Sequence, residues 1–267
     1  MADGFIDAQR HSTGLLTGIE KRVLIWLAHR LPPRLNSDHL TGIGLVAMFL
    51  VGVCFALSRQ FPPALWGVVV FLAANWFGDS LDGTLARVRG HQRPRYGFYV
   101  DHILDTFGAL FVLAGLAISG HMTPLVAAGF LVAYYILSIE IYLATYCVGR
   151  FRMSFWGWGP TELRILLAIG ALMLFVKPIV TIAGMRFPLF DVGGAIGAAG
   201  LLVTAVISAI GNTRRLYAAE PLPHGKTSQE IRRNSFKEPP GLLTSTPSRS
   251  EVRIDVAPTG ALEESHP

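Results

Sequence analysis

Long apolar segments alternate with short polar segments along most of the chain. Crossing the hydrocarbon core of a bilayer, which is about 30 Å thick, takes a helix of roughly 20 apolar residues. Segments near that length lie at about 39–57, 63–88, 97–119, 123–148, 161–183 and 191–211. The pattern therefore predicts an all-α polytopic membrane protein with six transmembrane helices.

The sequence outside these segments differs in character. Residues 20–31 mix Lys21 and Arg22 with Trp26 and other apolar residues over a stretch too short to span, which indicates an amphipathic helix at the membrane interface. The last part of the chain is rich in Pro, Ser, Glu and Arg without sustained periodicity, as in disordered segments. The predicted organisation is a polar N-terminal segment without a signal-peptide pattern (1–19), an interfacial helix and linker (20–38), the six-helix domain (39–218) and a disordered cytoplasmic tail with no catalytic role (219–267).

Composition and charge agree with a membrane protein and predict its orientation. Hydrophobic residues make up 51% of the chain and charged residues 15%, and the mean hydropathy is +0.45, which excludes an ordinary soluble domain. The net charge of +5 does not indicate nucleic-acid binding, because the basic residues flank the apolar segments. They cluster before the first segment and after the second, fourth and sixth, so the positive-inside rule predicts a multi-pass protein of the cell (inner) membrane with both termini cytoplasmic. Cys54 and Cys147, both in apolar segments, predict no disulfide framework.

Four carboxylates lie where the apolar pattern predicts membrane. Asp79 and Asp82 are near the end of the second segment, and Asp101 and Asp105 are near the start of the third. Intramembrane carboxylates are costly and usually functional. Spacings of three and four residues put each pair on one helix face, and antiparallel helices would bring the two faces together. Clustered carboxylates need a cation, and hard oxygen ligands suit Mg, Mn or Ca rather than zinc.

Small and basic residues surround these carboxylates. Gly83 and Gly97 have no side chain and Ala86 has a small one, so a substrate or backbone can approach closely. Arg87 and the loop arginines offer guanidinium groups to phosphate or pyrophosphate. The loop arginines are Arg89, Arg93 and Arg95.

The motif Asp79-x2-Asp82-Gly83-x2-Ala86-Arg87, followed by Gly97-x3-Asp101-x3-Asp105, resembles the signature of the CDP-alcohol phosphatidyltransferases, a family of integral membrane enzymes. The spacing between Arg87 and Gly97 is longer than is usual in that family, which we interpret as a longer loop outside the membrane. The resemblance implies transfer of a substituted phosphate from a CDP-linked donor to an alcohol, with release of CMP, by a homodimeric enzyme. It implies two divalent ions, Mg or Mn, held by the four aspartates, Asp105 as the base, and Asp79, Gly83, Ala86 and Arg87 on the nucleotide side. Gly193, Gly194, Gly197 and Gly200 of the last segment offer a small-residue surface for packing within or between subunits.

The donor and acceptor stay open at this stage. CDP-diacylglycerol with a small polar alcohol, such as glycerol 3-phosphate, serine, inositol phosphate or choline, is the default of the resembled family. His102 after Asp101 resembles the choline and ethanolamine phosphotransferase branch, in which diacylglycerol is the acceptor, and His102 is a candidate catalytic residue. The candidate acceptor-binding residues are Arg93, Arg95, Glu140, Arg150, Arg152, Glu162 and Arg164. For Glu140 the alternative is a hydrogen bond to a polar group of a neighbouring helix. For Glu162 and Arg164 a helix cap and an interfacial arginine are alternatives. Asp38 and Thr41 resemble the family's opening of the first segment, although an ordinary cap fits equally well. A cation transporter and an inactive lipid-binding scaffold are the alternatives of other classes.

Overall fold

The structure, a computed structural model, describes residues 9–11, 17–152, 160–220 and 222. Its elements, in chain order, are β1 (Gln9–His11), α1 (Thr17–Arg30), α2 (Ser37–Leu57), α3 (Ala64–Val88), α4 (Pro94–Ser119), α5 (Pro124–Val148), β2 (Arg150–Arg152), α6 (Pro160–Met173), β3 (Ile179–Ile182), β4 (Met185–Pro188) and α7 (Leu189–Ala219). All of them belong to one compact unit, Met1–Glu220. Strands β1 and β2 form a parallel pair, and β3 and β4 form an antiparallel hairpin. The predicted tail falls almost wholly outside the described residues.

Five of the described helices, α2, α3, α4, α5 and α7, are long and apolar enough to cross a membrane. Their bounds agree with five of the predicted segments to within a few residues, apart from extra residues at both ends of α7. The prediction of a largely helical polytopic membrane protein is therefore confirmed. The count of six spans is not.

The fifth predicted segment, 161–183, is helical over only part of its length. Helix α6 has 14 residues, which makes it about 21 Å long. Pro178 cannot continue a helix, and it disfavours helical backbone at Lys177 before it. The chain then forms the β3–β4 hairpin, whose turn has Ala183 and Gly184 at positive φ. Apolarity alone could not distinguish this short helix and hairpin from a full span.

Side-chain contacts fix the directions of the helices. Helix α6 runs antiparallel to α3, because Arg164 pairs with Asp79 at one end while the rings of Phe175 and Trp66 lie 5.7 Å apart at the other. Helices α5 and α7 run parallel. The Thr123 amide donates to Asp191 at 2.6 Å near their starts, and Asn212 donates to Glu140 at 2.7 Å near their ends. The segment between α5 and α7 therefore returns from one end of the bundle to the other.

The apolar core forms two clusters. The larger lies among α2, α3, α4, α5 and α6 and includes Val51, Phe55, Leu65, Leu72 and Leu116. Glycines allow the helices to approach: a Cβ at Gly52 would collide with the Phe111 carbonyl, and one at Gly115 would collide with the Gly52 carbonyl. Helices α2 and α4 are therefore in backbone contact. This contact helps to hold Asp101 and Asp105 of α4 near α3.

Helix α1 forms the second cluster with α2 and α3. Leu24 and Ala28 are buried there against Leu40, Leu81 and Leu85. The opposite face leaves Val23, Ile25 and Trp26 exposed, and the Arg30 guanidinium lies 3.7 Å from the Trp26 ring centroid. A two-sided apolar helix of this kind fits the predicted interfacial helix, which stays a prediction.

The glycines of α7 divide into two groups. A Cβ at Gly194 would collide with Met122, and one at Gly197 would lie 2.7 Å from Phe130, so both positions pack against residues of the α4–α5 turn and α5. Gly193 and Gly200 have nothing within 4 Å of such a Cβ. Gly194 and Gly197 of the small-residue surface thus serve packing within the chain.

Candidate active site

The four aspartates lie on the last turns of α3 and the first turns of α4, two helices that both pack against α2. Asp79 and Asp82 lie on α3, and Asp101 and Asp105 lie on α4. Asp105 is close enough to the other three, and to Arg164 of α6, to interact electrostatically with each of them. Helix α2 contacts both α3 and α4, and so closes the third side of the site.

The start of α2 holds Asp82. The Thr41 hydroxyl donates to Asp82 Oδ2 at 2.6 Å, and the Ser37 hydroxyl donates to the Asp82 carbonyl at 2.9 Å. Asn36 caps α2 and accepts from the His39 amide at 3.0 Å, so the backbone that carries Ser37 and Thr41 is itself anchored. Asn36 is thus the cap of α2, and Thr41, one turn into the helix, orients Asp82.

Asp79 is held from the other side by α6. Arg164 donates through Nη2 to Asp79 and through Nε to Asn75 Oδ1 at 2.7 Å. Asn75 in turn donates to the Gly44 carbonyl of α2 at 2.9 Å. Asn75 thereby fixes the guanidinium plane of Arg164. Sequence reasoning missed Asn75 as a site residue. The one feature that could have indicated it is a polar amide side chain within an apolar span.

The nucleotide-side residues lie one turn further along α3. The Arg87 guanidinium covers Gly83, where a Cβ would be 3.5 Å from Nη1, and it donates to Thr84 Oγ1 at 3.1 Å. Ala86 is half-buried beside the exposed Arg87. Gly97 has open space around the position of a Cβ, so α4 also presents bare backbone at this end.

The loop arginines differ in their contacts. Arg89 donates to the carbonyls of Leu31, Pro32 and Leu35, which fastens the α1–α2 linker to the end of α3. That use of Arg89 is structural and differs from the phosphate contact that the sequence suggested. Arg93 pairs with Asp38 and lies over Tyr96 at 4.1 Å from the ring centroid, partly exposed. Arg95 is exposed in the first turn of α4.

His102 is buried between α4 and α5. Its Nδ1 lies 2.6 Å from the Phe98 carbonyl, and its ring packs on Phe98 and edge-on against Tyr142, with centroids 4.2 and 5.0 Å away. These contacts orient the ring toward α5, and a catalytic role stays a prediction.

The remaining candidate acceptor residues are dispersed. Glu140 lies between α5 and α7, where Oε1 accepts from Asn212 at 2.7 Å while Oε2 is buried without a hydrogen bond. Glu162 is half-buried in the first turn of α6. The predictions for Arg150 and Arg152 concern side chains that lie outside the described part of the structure. Among the seven candidates, Arg164 reaches the site directly, through its ion pair with Asp79.

The donor set suits a hard divalent cation by its chemistry. Four carboxylates that repel one another supply oxygen ligands of the kind that Mg²⁺ or Mn²⁺ prefers. As the side chains stand, no three acidic, His or Cys groups of the described residues converge tightly enough to hold a metal ion. Asp79 and Asp82 instead point to Arg164 and Thr41. Ligation would therefore use carboxylate oxygens not engaged by these partners, or new rotamers.

Five helices long and apolar enough to cross a membrane, with carboxylates clustered at one end, define a multi-pass membrane protein with a polar site at that end of the bundle. The sequence model of the family described as CDP-alcohol phosphatidyltransferase matches residues 37–207, which covers α2 to α6 and most of α7. The chain belongs to the CDP-alcohol phosphatidyltransferase family. It is therefore a transferase of substituted phosphate groups that uses a CDP-alcohol donor and an alcohol acceptor. No curated protein matches the chain at a significant level.

Proposed function

We propose that the protein transfers phosphatidyl from CDP-diacylglycerol to a small polar alcohol and releases CMP, with Mg²⁺ or Mn²⁺ at the carboxylate site. The single observation that carries the proposal is the convergence of Asp79, Asp82, Asp101 and Asp105 at one end of the bundle of a family member. Carboxylates that repel one another at the end of apolar helices are costly to bring together, and a cationic ligand would offset that cost.

The reaction needs an acceptor oxygen to attack the phosphatidyl phosphorus while the bond from that phosphorus to the CMP oxygen breaks. Asp105, surrounded by the other three aspartates, accepts the proton of the acceptor hydroxyl. The Arg87 guanidinium over Gly83 binds the nucleotide phosphates. A bound divalent ion would neutralise the pyrophosphate and stabilise the CMP leaving group. Arg164 holds Asp79 and Asn75 in place through two different nitrogen atoms.

The position of His102 supports the CDP-diacylglycerol donor over the head-group-transfer alternative. The ring is enclosed by Phe98 and Tyr142 and bonded to a carbonyl of its own helix. It therefore contributes to α4–α5 packing.

We further propose that the carboxylate end faces the cytoplasm, where CDP-linked substrates and CMP are soluble. Arginines at this end include Arg87, Arg89, Arg93 and Arg95, in agreement with the positive-inside rule. Helix α6 with the residues up to the hairpin would then be the sixth crossing, since it runs from Asp79 to Trp66 alongside α3. A homodimer is proposed with the exposed side of α7, including Gly193 and Gly200, as a contact surface.

The test is CMP release by the purified chain in detergent with Mg²⁺ or Mn²⁺. CDP-diacylglycerol is offered with a panel of small alcohols, and CDP-choline and CDP-ethanolamine are offered with diacylglycerol. Asp105→Asn removes the proton acceptor without changing size, so we expect a loss of at least about 10²-fold in CMP release. Asp191→Asn, at the other end of the bundle, keeps the oxygen that accepts from Thr123 and should leave release unchanged. Folded protein that releases no CMP from any donor would overturn the proposal.

A further inference from the structure

One carboxylate oxygen joins three helices next to the site. Glu20 Oε1, in the first turn of α1, accepts from Trp76 Nε1 at 2.8 Å and from Ser80 Oγ at 3.4 Å, both on α3. It also accepts from Thr161 Oγ1 of α6 at 2.7 Å. Charge-assisted hydrogen bonds of this kind are stronger than neutral ones.

The contact to Thr161 bears on the site because Thr161 and Arg164 share the first turn of α6. They are three residues apart, so they occupy neighbouring positions on one helix face. Arg164 is the residue that holds Asp79 and Asn75. Fixing the first turn of α6 therefore fixes the depth and rotation at which Arg164 enters the site.

Helix α6 depends on such contacts more than its neighbours do. Ala171 is its one buried residue among those described, and most of its other apolar side chains, such as Leu163 and Leu166, are exposed. Close packing against α3 is thus sparse in the N-terminal half of α6, and in a membrane close packing and interhelical hydrogen bonds hold helices together. The polar contacts of Glu20 and Arg164 supply that attachment.

We propose that Glu20 is a positioning residue for the transfer reaction: it holds the start of α6 against α3, so that Arg164 meets Asp79. Helix α1 is then part of the catalytic apparatus as well as a surface helix. The inference rests on the proposed function for its kinetic test.

The kinetic test compares three variants in the CMP-release assay. Glu20→Ala removes the acceptor and Thr161→Val removes one donor without changing size, and each should lower kcat roughly tenfold, by the loss of a hydrogen bond to a charged group. The KM for the CDP donor should change little. Glu20→Gln keeps an oxygen at the same position and should restore most of the activity. Thr145→Val, whose hydroxyl bonds to the Ile141 carbonyl of its own helix, and Lys21→Ala, exposed beside Glu20, are the matched controls.

Double variants decide whether Glu20 acts through Arg164. In an Arg164→Ala background, Glu20→Ala should cost nothing further, because the group it positions is gone. Full additivity of the two losses would overturn the proposal, and so would an unchanged kcat in Glu20→Ala.

A distance measurement gives a readout that does not need activity. Spin labels at Arg22→Cys on α1 and Leu166→Cys on α6, in a chain with Cys54 and Cys147 replaced by Ala, report the α1–α6 separation. Glu20→Ala should broaden or shift the distance distribution, and Glu20→Gln should leave it near the parent's. An unchanged distribution in Glu20→Ala would overturn the inference. If the unsubstituted chain releases no CMP from any donor, the proposed function fails, while this measurement still decides whether Glu20 positions α6.

Discussion

Asp79 and Asp82 are three residues apart on one helix, yet different partners hold them. Asp79 meets the guanidinium of Arg164, a cation 85 residues away along the chain, and Asp82 meets the hydroxyl of Thr41, 41 residues away. The two partners differ in kind, because Asp79 forms an ion pair with a guanidinium and Asp82 accepts from a neutral hydroxyl.

The hydroxyl of Thr41 can be removed without changing the shape of the side chain. Thr41→Val removes the donor that lies 2.6 Å from Asp82 Oδ2. We expect CMP release to fall roughly tenfold and the free energy of unfolding to fall by about 1 kcal/mol, since one hydrogen bond to a charged group is lost. The matched control is Thr204→Val, whose hydroxyl bonds within its own helix to the Gly200 carbonyl. Equal activities for the two variants would show that Thr41 does not orient Asp82.

Sequence reasoning identified the four aspartates from their local spacing and named Arg164 as a candidate, but it missed Asn75 and Glu20, which reach the site through tertiary contacts. Four aspartates at three- and four-residue spacings can be recognised along the chain, because helix geometry converts spacing into a common face. Asn75 and Glu20 could not be recognised in that way. Their partners Arg164 and Thr161 are 89 and 141 residues distant along the chain. No local pattern carries such a contact.

At the scale of elements, the apolar pattern predicted six long helices; five of them are confirmed, and the prediction was wrong about the helical length of the fifth segment, where α6 has 14 residues. The segment from 161 to 183 has the length and hydropathy of a span, but Pro178 ends any helix before that length is reached. The chain completes the distance with non-helical backbone and a hairpin whose hydrogen bonds are made within itself. Apolarity considered without the position of proline overestimates the helix here.

The α2–α4 crossing gives a prediction about packing. Gly52→Ala and Gly115→Ala each place a methyl group against a backbone carbonyl of the facing helix. We expect each to lower the free energy of unfolding by about 1–3 kcal/mol, as in overpacked cores. Because both glycines lie in one contact, the double variant should cost less than the sum of the two. The measurement is unfolding in detergent, by heat or denaturant.

Two other glycines serve as controls for this experiment. Gly42 of α2 and Gly129 of α5 have nothing within 4 Å of an added Cβ. Alanine at either position should therefore be neutral or raise stability by up to about 1 kcal/mol, from reduced backbone entropy. If alanine at Gly42 or Gly129 lowered the free energy of unfolding as much as alanine at Gly52, close packing of α2 on α4 would not explain the destabilisation.

At the scale of the whole molecule, stability should depend on pH at the end opposite the carboxylates. His121, in the turn between α4 and α5, lies 2.9 Å from the Ser58 hydroxyl. Burial, and next the Arg59 cation, lower the pKa of His121 below its usual value. The unfolded chain then binds more protons than the folded one near and below about pH 6.5, so the free energy of unfolding should fall as pH drops through that region.

His121→Gln removes the titrating group and should flatten this part of the stability curve. Unfolding midpoints between pH 5 and 8, compared for the parent and the variant, measure the difference. The carboxylates titrate in both chains, so their contribution cancels in the comparison. The prediction would be wrong if the free energy of unfolding of the parent rose, relative to that of the variant, as the pH is lowered.

The path of the chain through the bilayer is the last consequence of the fold as a whole. Helix α6 starts beside the carboxylates, and the turn after it reaches Trp66, so the β3–β4 hairpin should emerge on the same side of the membrane as the α2–α3 connection.

Single cysteines at Gln60, His91 and Met185, in a chain with Cys54 and Cys147 replaced by Ala, test this path with a membrane-impermeant thiol reagent on intact cells. Gln60→Cys and Met185→Cys should be labelled from outside, and His91→Cys, beside the site, only after the membrane is opened. If Met185→Cys, like His91→Cys, is labelled only after the membrane is opened, α6 does not cross the membrane. With five crossings, the start of α2 and the end of α7 would lie on opposite sides of the membrane. Arg214 and Arg215, near the end of α7, would then lie outside, which contradicts the positive-inside rule.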